Sequence, residues 1–222
     1  MKQYQQDFIS FLIKTEALKF GDFTLKSGRK SPYFFNSGSF NSGDSLTTLA
    51  RFYAEHIVSQ VPERCVSIFG PAYKGIPLAV STAMVLADKF SYPVGYTFNR
   101  KEVKEHGDRG ELVGRALNVG ESIIIVEDVI TAGTTLREVV PQLRDRYGVK
   151  IAAVCIALDR CERGAQGESS AKDEATKELG LTILPLVTSY QIIEYLEQNQ
   201  GVSQAQYVPA MKEYLKQYGV VA

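Results

Sequence analysis

Apolar residues follow two rhythms along this chain, and their alternation sets its organisation. Residues 4–20 carry Phe8, Ile9, Phe11, Leu12, Ile13 and Leu18 at helical spacing, which predicts an amphipathic opening helix broken at Gly21. Phe23 to Asn36 reads as two short strands around a glycine-containing turn. Residues 44–60 return to the helical rhythm, with Leu46, Leu49, Phe52, Tyr53, Ile57 and Val61 on one side. Strands are then predicted at 65–69, 94–98, 123–126, 151–158 and 181–187. Helices are predicted at 76–90, about 134–147, 172–179, 189–198 and 205–218. In the helix near 134–147 the buried stripe is Leu136, Val139, Val140, Leu143 and Tyr147, and Pro141 inside it predicts a kink or irregularity. Strand–helix alternation predicts an α/β fold with a mainly parallel sheet covered on both faces. Ligands of such sheets lie beyond the C-terminal ends of strands. No repeat or linker divides the chain, so residues 1–222 read as one domain.

Composition narrows the function without naming it. The 222 residues are 45% hydrophobic, enough for one full core. Lys plus Arg and Asp plus Glu both total 25, so the formal net charge is zero. That balance argues against a nucleic-acid partner and against a polybasic membrane anchor. No apolar run has the length of a membrane span, and the first residues lack a signal-peptide layout. Cys65, Cys155 and Cys161 are odd in number and lack metal spacing. The expectation is a reduced, cytoplasmic protein without a structural disulfide.

The chemistry concentrates at residues 123–135. An Ile-Ile-Ile-Val run leads into Glu127 and Asp128, then into Val129, Ile130, Thr131, Ala132, Gly133, Thr134 and Thr135, where a helix is predicted to begin. Loop and helix N–H groups can converge on an anion there, aided by the helix macrodipole. Gly133 permits close backbone approach. The two carboxylates accept hydrogen bonds only, so they suit sugar hydroxyls or a magnesium shell rather than a phosphate. A sugar diol beside its phosphate satisfies both halves. The plainer alternative is an ordinary strand–turn–helix. As a whole the segment resembles the 5-phosphoribosyl 1-diphosphate (PRPP) motif of the type I phosphoribosyltransferases.

A second signal is the charged stretch Arg100–Glu111, with four cations and His106 within ten residues. It reads as a lid over an anionic substrate; the alternative is a solvated loop whose charges cancel. The order Arg-Lys-x-x-Lys-x-His-Gly is similar to the flexible catalytic loop of the orotate phosphoribosyltransferase family. Lys26, Phe34-Phe35, Tyr73-Lys74-Gly75 and Asp159-Arg160 match that family too. The similarity runs from about residue 8 to about 200, and Glu127 stands where many members have Asp. Loop 163–172 and the C-terminal helix receive nothing from it.

The resemblance implies a type I phosphoribosyltransferase fold: a twisted, mainly parallel sheet flanked by helices, a small N-terminal hood of about residues 1–40, and a flexible catalytic loop. It implies transfer of phosphoribosyl from PRPP to orotate. Lys101, Lys104, His106 and Asp128 would be catalytic. PRPP would be held by Lys26, Tyr73, Lys74, Arg100, Lys101, Lys104, His106, Glu127, Asp128 and residues 129–135. Orotate would meet Lys26, the Phe34-Phe35 wall and backbone, Thr131 and Arg160. Mg2+ would be bound through PRPP and water rather than directly by the protein. The lid would reach the partner's site in a homodimer, with Lys101 acting in trans. His56 has no motif around it and reads as structural. Two other readings stand beside this one: a phosphoribosyltransferase for a purine or uracil, and a PRPP- or nucleotide-binding regulator of the same fold.

Overall fold

The computed structural model describes residues 1–25, 27–101, 111–130, 133–164, 167 and 169–220. In chain order the elements are α1 (Gln3–Lys14), β1 (Leu18–Thr24), β2 (Lys30–Phe35), α2 (Gly43–Gln60), β3 (Ser67–Phe69), α3 (Gly75–Phe90), β4 (Gly95–Asn99), β5 (Leu112–Gly114), β6 (Ser122–Val129), α4 (Thr134–Pro141), β7 (Lys150–Asp159), α5 (Ala171–Leu179), β8 (Ile183–Thr188), α6 (Ser189–Gln198) and α7 (Val208–Tyr218).

Six strands form one sheet in the order β5-β4-β3-β6-β7-β8. Every pairing is parallel except β4 with β5. The isoleucine run predicted as a doubly covered strand is β6, near the middle. Ile124 and Val126 pack into one apolar cluster, and Ile123 and Ile125 into another. That split is the two-residue period of a strand buried on both faces. From β3 the chain moves outward to β4, whereas from β6 it moves the other way to β7 and β8. The switch point therefore lies between β3 and β6, and the segments after both strands open beside it.

The opening helix is shorter than its apolar spacing predicts. It stops at Lys14, where Thr15 Oγ1 donates to the Phe11 carbonyl at 2.7 Å and Glu16 takes a left-handed φ of 53°. Leu18 and Phe20 instead start β1, which pairs with β2 as a separate two-stranded sheet. Gly21 breaks no helix; it sits where the β1–β2 register shifts, between Phe20 and Phe23. The β1–β2 pair packs against the C-terminal part of the chain as well. Tyr214 of α7 meets Tyr33 of β2 with ring centroids 6.0 Å apart, and Tyr207 stacks on Phe20 at 5.6 Å. One buried cluster runs from α1 and β2 through the main sheet to α7.

Three further differences are local. Strand β5 has only three residues and no alternation long enough to register in the sequence. The predicted strand 65–69 begins at Ser67, with Cys65 buried just before it. Pro141 does end the regular helix: α4 stops there and a π-helical turn, Gln142–Arg146, follows. Proline lacks the N–H of the helical ladder and its ring crowds the preceding turn. Cys65, Cys155 and Cys161 are free and buried. Among the described residues, no helix is long and apolar enough to cross a membrane.

Candidate active site

The end of β6 carries the acid pair to the switch point. Tyr53 of α2 is fully buried and its hydroxyl donates to the Glu127 carbonyl at 2.7 Å, anchoring the strand end. The Glu127 side chain is itself buried. Burial, and then the charge of Asp128, push its carboxyl up to about 7. Asp128 is more accessible. Its Oδ1 accepts from the Val129 N–H at 2.8 Å, while Oδ2 accepts from the Ser37 hydroxyl and from Lys74 Nζ, the latter at 3.2 Å.

Beyond the acids the chain enters α4. Gly133 stands at its N-cap with φ 71°, and a side chain there would be left-handed and 3.3 Å from Arg137. Thr134 is exposed and Thr135 half-buried in the first turn, so N–H groups and hydroxyls are available to an anion. Val129 and Ile130 are half-buried and complete the described part of this segment. Thr131 and Ala132 lie outside the described residues.

The second loop follows β3. A Cβ on Gly70 would lie 2.0 Å from the Gly75 carbonyl oxygen, so two backbone segments touch where only glycine fits. Between them the Ala72–Tyr73 peptide is cis, and the Ala72 N–H donates to Asn99 Oδ1 at 2.9 Å. Tyr73 is exposed, and Lys74 reaches over the switch point to Ser37 Oγ at 3.0 Å as well as to Asp128. After β4, the Arg100 N–H donates to the Glu111 carbonyl at 2.7 Å. Arg100 Nε is buried without a hydrogen-bond partner among the described residues. Lys101 is exposed. Lys104 and His106 lie outside the described residues, as does Lys26.

The third group lies at β2 and the end of β7. Neighbouring β2 residues point to opposite sides. Phe34 is 39% exposed and stacks on Phe23 at 5.6 Å, whereas the Phe35 side chain is buried in the core near Phe40. Phe34 thus presents a ring face, and the Phe35 side chain does not. At the end of β7, Arg160 lies with Cζ 4.2 Å from the Tyr33 ring centroid. Its Nε donates to Glu162 Oε1 at 2.7 Å and its Nη2 to Ser31 Oγ at 3.1 Å.

Sequence reasoning missed Ser37, Ser31, Tyr33 and Glu162. Only Glu162 had a local signal, a carboxylate two residues beyond a candidate arginine. The other three come from β2 and the turn after it, and only the fold brings them close. His56 is buried, with Nδ1 2.8 Å from the Tyr4 hydroxyl, away from these groups. A cavity of roughly 500 Å3 opens at the other end of the strands, before β3 and β4, beside Arg64, Tyr92 and Arg115, and no candidate residue lines it.

Comparison with known proteins places the chain in a family. Residues 40–178 match the phosphoribosyl transferase domain family. Over 99% of its length the chain is 47% identical to an orotate phosphoribosyltransferase of Pseudomonas aeruginosa, which it covers completely. It is equally similar to one from Salmonella newport, again over 99% of this chain and all of the relative. Its fold matches a crystal structure of orotate phosphoribosyltransferase from Francisella tularensis with a TM-score of 0.84, at 38% identity, covering 96% of this chain and 100% of that one.

Proposed function

The chain belongs to the orotate phosphoribosyltransferases, and from that premise we propose how its residues divide the work. The enzyme transfers the 5-phosphoribosyl group of PRPP to orotate, giving orotidine 5′-monophosphate and diphosphate, a step of pyrimidine biosynthesis. The observation that carries the assignment is the 3.2 Å contact between Lys74 and Asp128. It joins the loop suited to a diphosphate to the acid suited to a ribose diol, at the one place where both strands open.

Glu127 and Asp128 accept hydrogen bonds from the ribose 2′- and 3′-hydroxyls. Residues 129–135 hold the 5′-phosphate on backbone N–H groups and threonine hydroxyls. Phe34 packs on the flat orotate ring, Lys26 and Thr131 contact it, and Arg160 pairs with its carboxylate. The bond from ribose C1 to the diphosphate oxygen loosens first, and the ribose gains oxocarbenium character, as at other anomeric centres. The orotate ring nitrogen then bonds to C1 and gives up its proton, and the diphosphate, leaving with the electron pair of the broken bond, can take that proton up. Tyr73, Lys74 and Arg100, with Lys101, Lys104 and His106 of the lid, supply hydrogen bonds and positive charge to the departing group. Glu127 and Asp128, the latter accessible, would face a magnesium ion carried in by PRPP and water rather than bind it directly. When bound, Mg2+ offsets the charge of the diphosphate.

The same reading makes residues 1–222 one domain of a cytoplasmic homodimer, with each lid closing over the partner's site. Loss of orotate ultraviolet absorbance on mixing with PRPP and Mg2+ tests the reaction. Turnover of adenine, hypoxanthine or uracil in place of orotate would overturn the substrate. Mixing Lys101→Ala subunits with Asp128→Asn subunits tests the dimer: recovered activity supports a lid acting in trans, and none removes it.

A further inference from the structure

Arg160 is expected to bind a carboxylate, yet it already holds one. Glu162 Oε1 lies 2.7 Å from both Nε and Nη2 of Arg160. Nη2 also meets Ser31, and the Tyr33 ring lies beneath the guanidinium. Both side chains are only 14% exposed. Three of the surroundings of this arginine are therefore fixed by protein. Among the described residues the hydrogen bonds of this guanidinium are made through Nε and Nη2, with Tyr214 also beside Arg160 and Glu162.

Glu162 is held from its other side. Its Oε2 accepts from Arg29 Nη1 at 3.3 Å, and Arg29 Nη2 donates to the Arg163 carbonyl at 3.3 Å. Arg29 in turn lies over the Tyr218 ring, 5.0 Å from its centroid, at the end of α7. The backbone closes the clamp: the Arg163 N–H donates to the Tyr218 carbonyl at 2.8 Å, and the Val220 N–H to the Cys161 carbonyl at 2.9 Å. The arginine–glutamate–arginine row carries one net positive charge, so a further anion is still attracted to it.

We propose that Glu162 is a positioning residue for orotate: it fixes the Nε–Nη2 edge of Arg160, so that Nη1 is presented to the substrate carboxylate. The segment after α7 keeps Glu162 in place. A guanidinium is a rigid planar fork, so holding one edge sets the direction of the remaining donors. Preorganising a donor in this way favours a ligand carboxylate over rings that lack one. The proposal rests on orotate being the substrate.

The test compares Glu162→Ala, Glu162→Gln and Arg29→Ala with the unaltered enzyme. KM for orotate, KM for PRPP, kcat, and inhibition by uracil, which lacks the carboxylate, are measured at one pH. Removing a charge-assisted contact predicts a rise in orotate KM on the order of tenfold for Glu162→Ala. PRPP KM and the uracil inhibition constant should stay within about twofold. Glu162→Gln keeps an acceptor oxygen and should restore part of the loss. If Glu162→Ala does not fold, the other two variants are read by the same criterion. An unchanged or lower orotate KM would overturn the proposal, as would an equal rise for PRPP and uracil. If the unaltered enzyme fails to turn over orotate, the assigned reaction falls instead.

Discussion

Lys74 Nζ lies 3.2 Å from Asp128 Oδ2, and Ser37 Oγ, 3.0 Å from the same ammonium, hydrogen-bonds the same carboxylate. Three segments distant in sequence meet there: the loop after β3, the end of β6 and the turn after β2. Lys74 is 66% exposed, so this ion pair contributes little to stability and is easily exchanged. On the proposed reading, PRPP would replace each half, with an anion for the ammonium and hydroxyls for the carboxylate. Lys74→Ala should therefore lower kcat/KM for PRPP by about 2.7–4 kcal/mol of transition-state stabilisation, while thermal unfolding moves by less than about 1 kcal/mol. Steady-state kinetics beside a melting curve checks this. A large drop in stability with little kinetic change would assign Lys74 to the fold.

Glu127 gives a prediction about pH. Its carboxyl is raised from an ordinary 4.5 to about 7 by burial and by Asp128. Between those values the folded protein holds a proton that the unfolded chain releases, so this group's contribution to stability falls as pH rises from 4.5 through 7. Binding should run the other way. Ribose hydroxyls donate best to an ionised carboxylate, so PRPP KM should fall as pH rises through about 7. Glu127→Gln, which does not ionise, should flatten that dependence while Asp128 still binds. The measurement is PRPP KM from pH 6 to pH 8 for both proteins, and parallel profiles would separate Glu127 from the effect.

Gly70 is a steric prediction. Its missing side chain leaves room for the Gly75 carbonyl, which an added Cβ would meet at 2.0 Å, and Ala79 Cβ would lie 2.8 Å away. Neither neighbour is a flexible side-chain end. Gly70→Ala should therefore force the loop apart, costing about 1–3 kcal/mol of stability. PRPP KM should rise through displaced Lys74, while orotate KM changes less. Urea unfolding and two-substrate kinetics read both effects.

The sheet was legible because β6, β7 and the helices between strands carry long, unbroken patterns. The placement of the acid pair at a strand end was legible because Glu127 and Asp128 directly follow the apolar run of β6. Other parts depended on distance. Leu18 continued the helical spacing of α1, but Glu16 turns the backbone left-handed and gives Leu18 to β1. Strand β5 is too short to show a period. Ser37 joins Asp128 from 91 residues away, so no local pattern could announce it. The same is true of the row from Arg29 to Glu162 to Arg160, assembled by β7, the turn between β1 and β2, and the end of α7.

His56 gives a test of the fold independent of the reaction. It sits on α2, buried against Tyr4 of α1, whose hydroxyl is 2.8 Å from Nδ1. Burial lowers its pKa from 6.5 to about 4. Between those values the unfolded chain binds a proton that the folded chain refuses. The stability this histidine contributes is thus present above 6.5 and is lost as pH falls toward 4, with a slope of at most about 1.4 kcal/mol per pH unit. His56→Gln keeps a polar group able to hydrogen-bond the Tyr4 hydroxyl but takes up no proton in this range. Its unfolding free energy, from urea titrations at pH 7, 6 and 5, should fall less steeply than that of the unaltered protein. Identical slopes would mean that acid opens the molecule elsewhere and that the contact between α1 and α2 tolerates a charged imidazole.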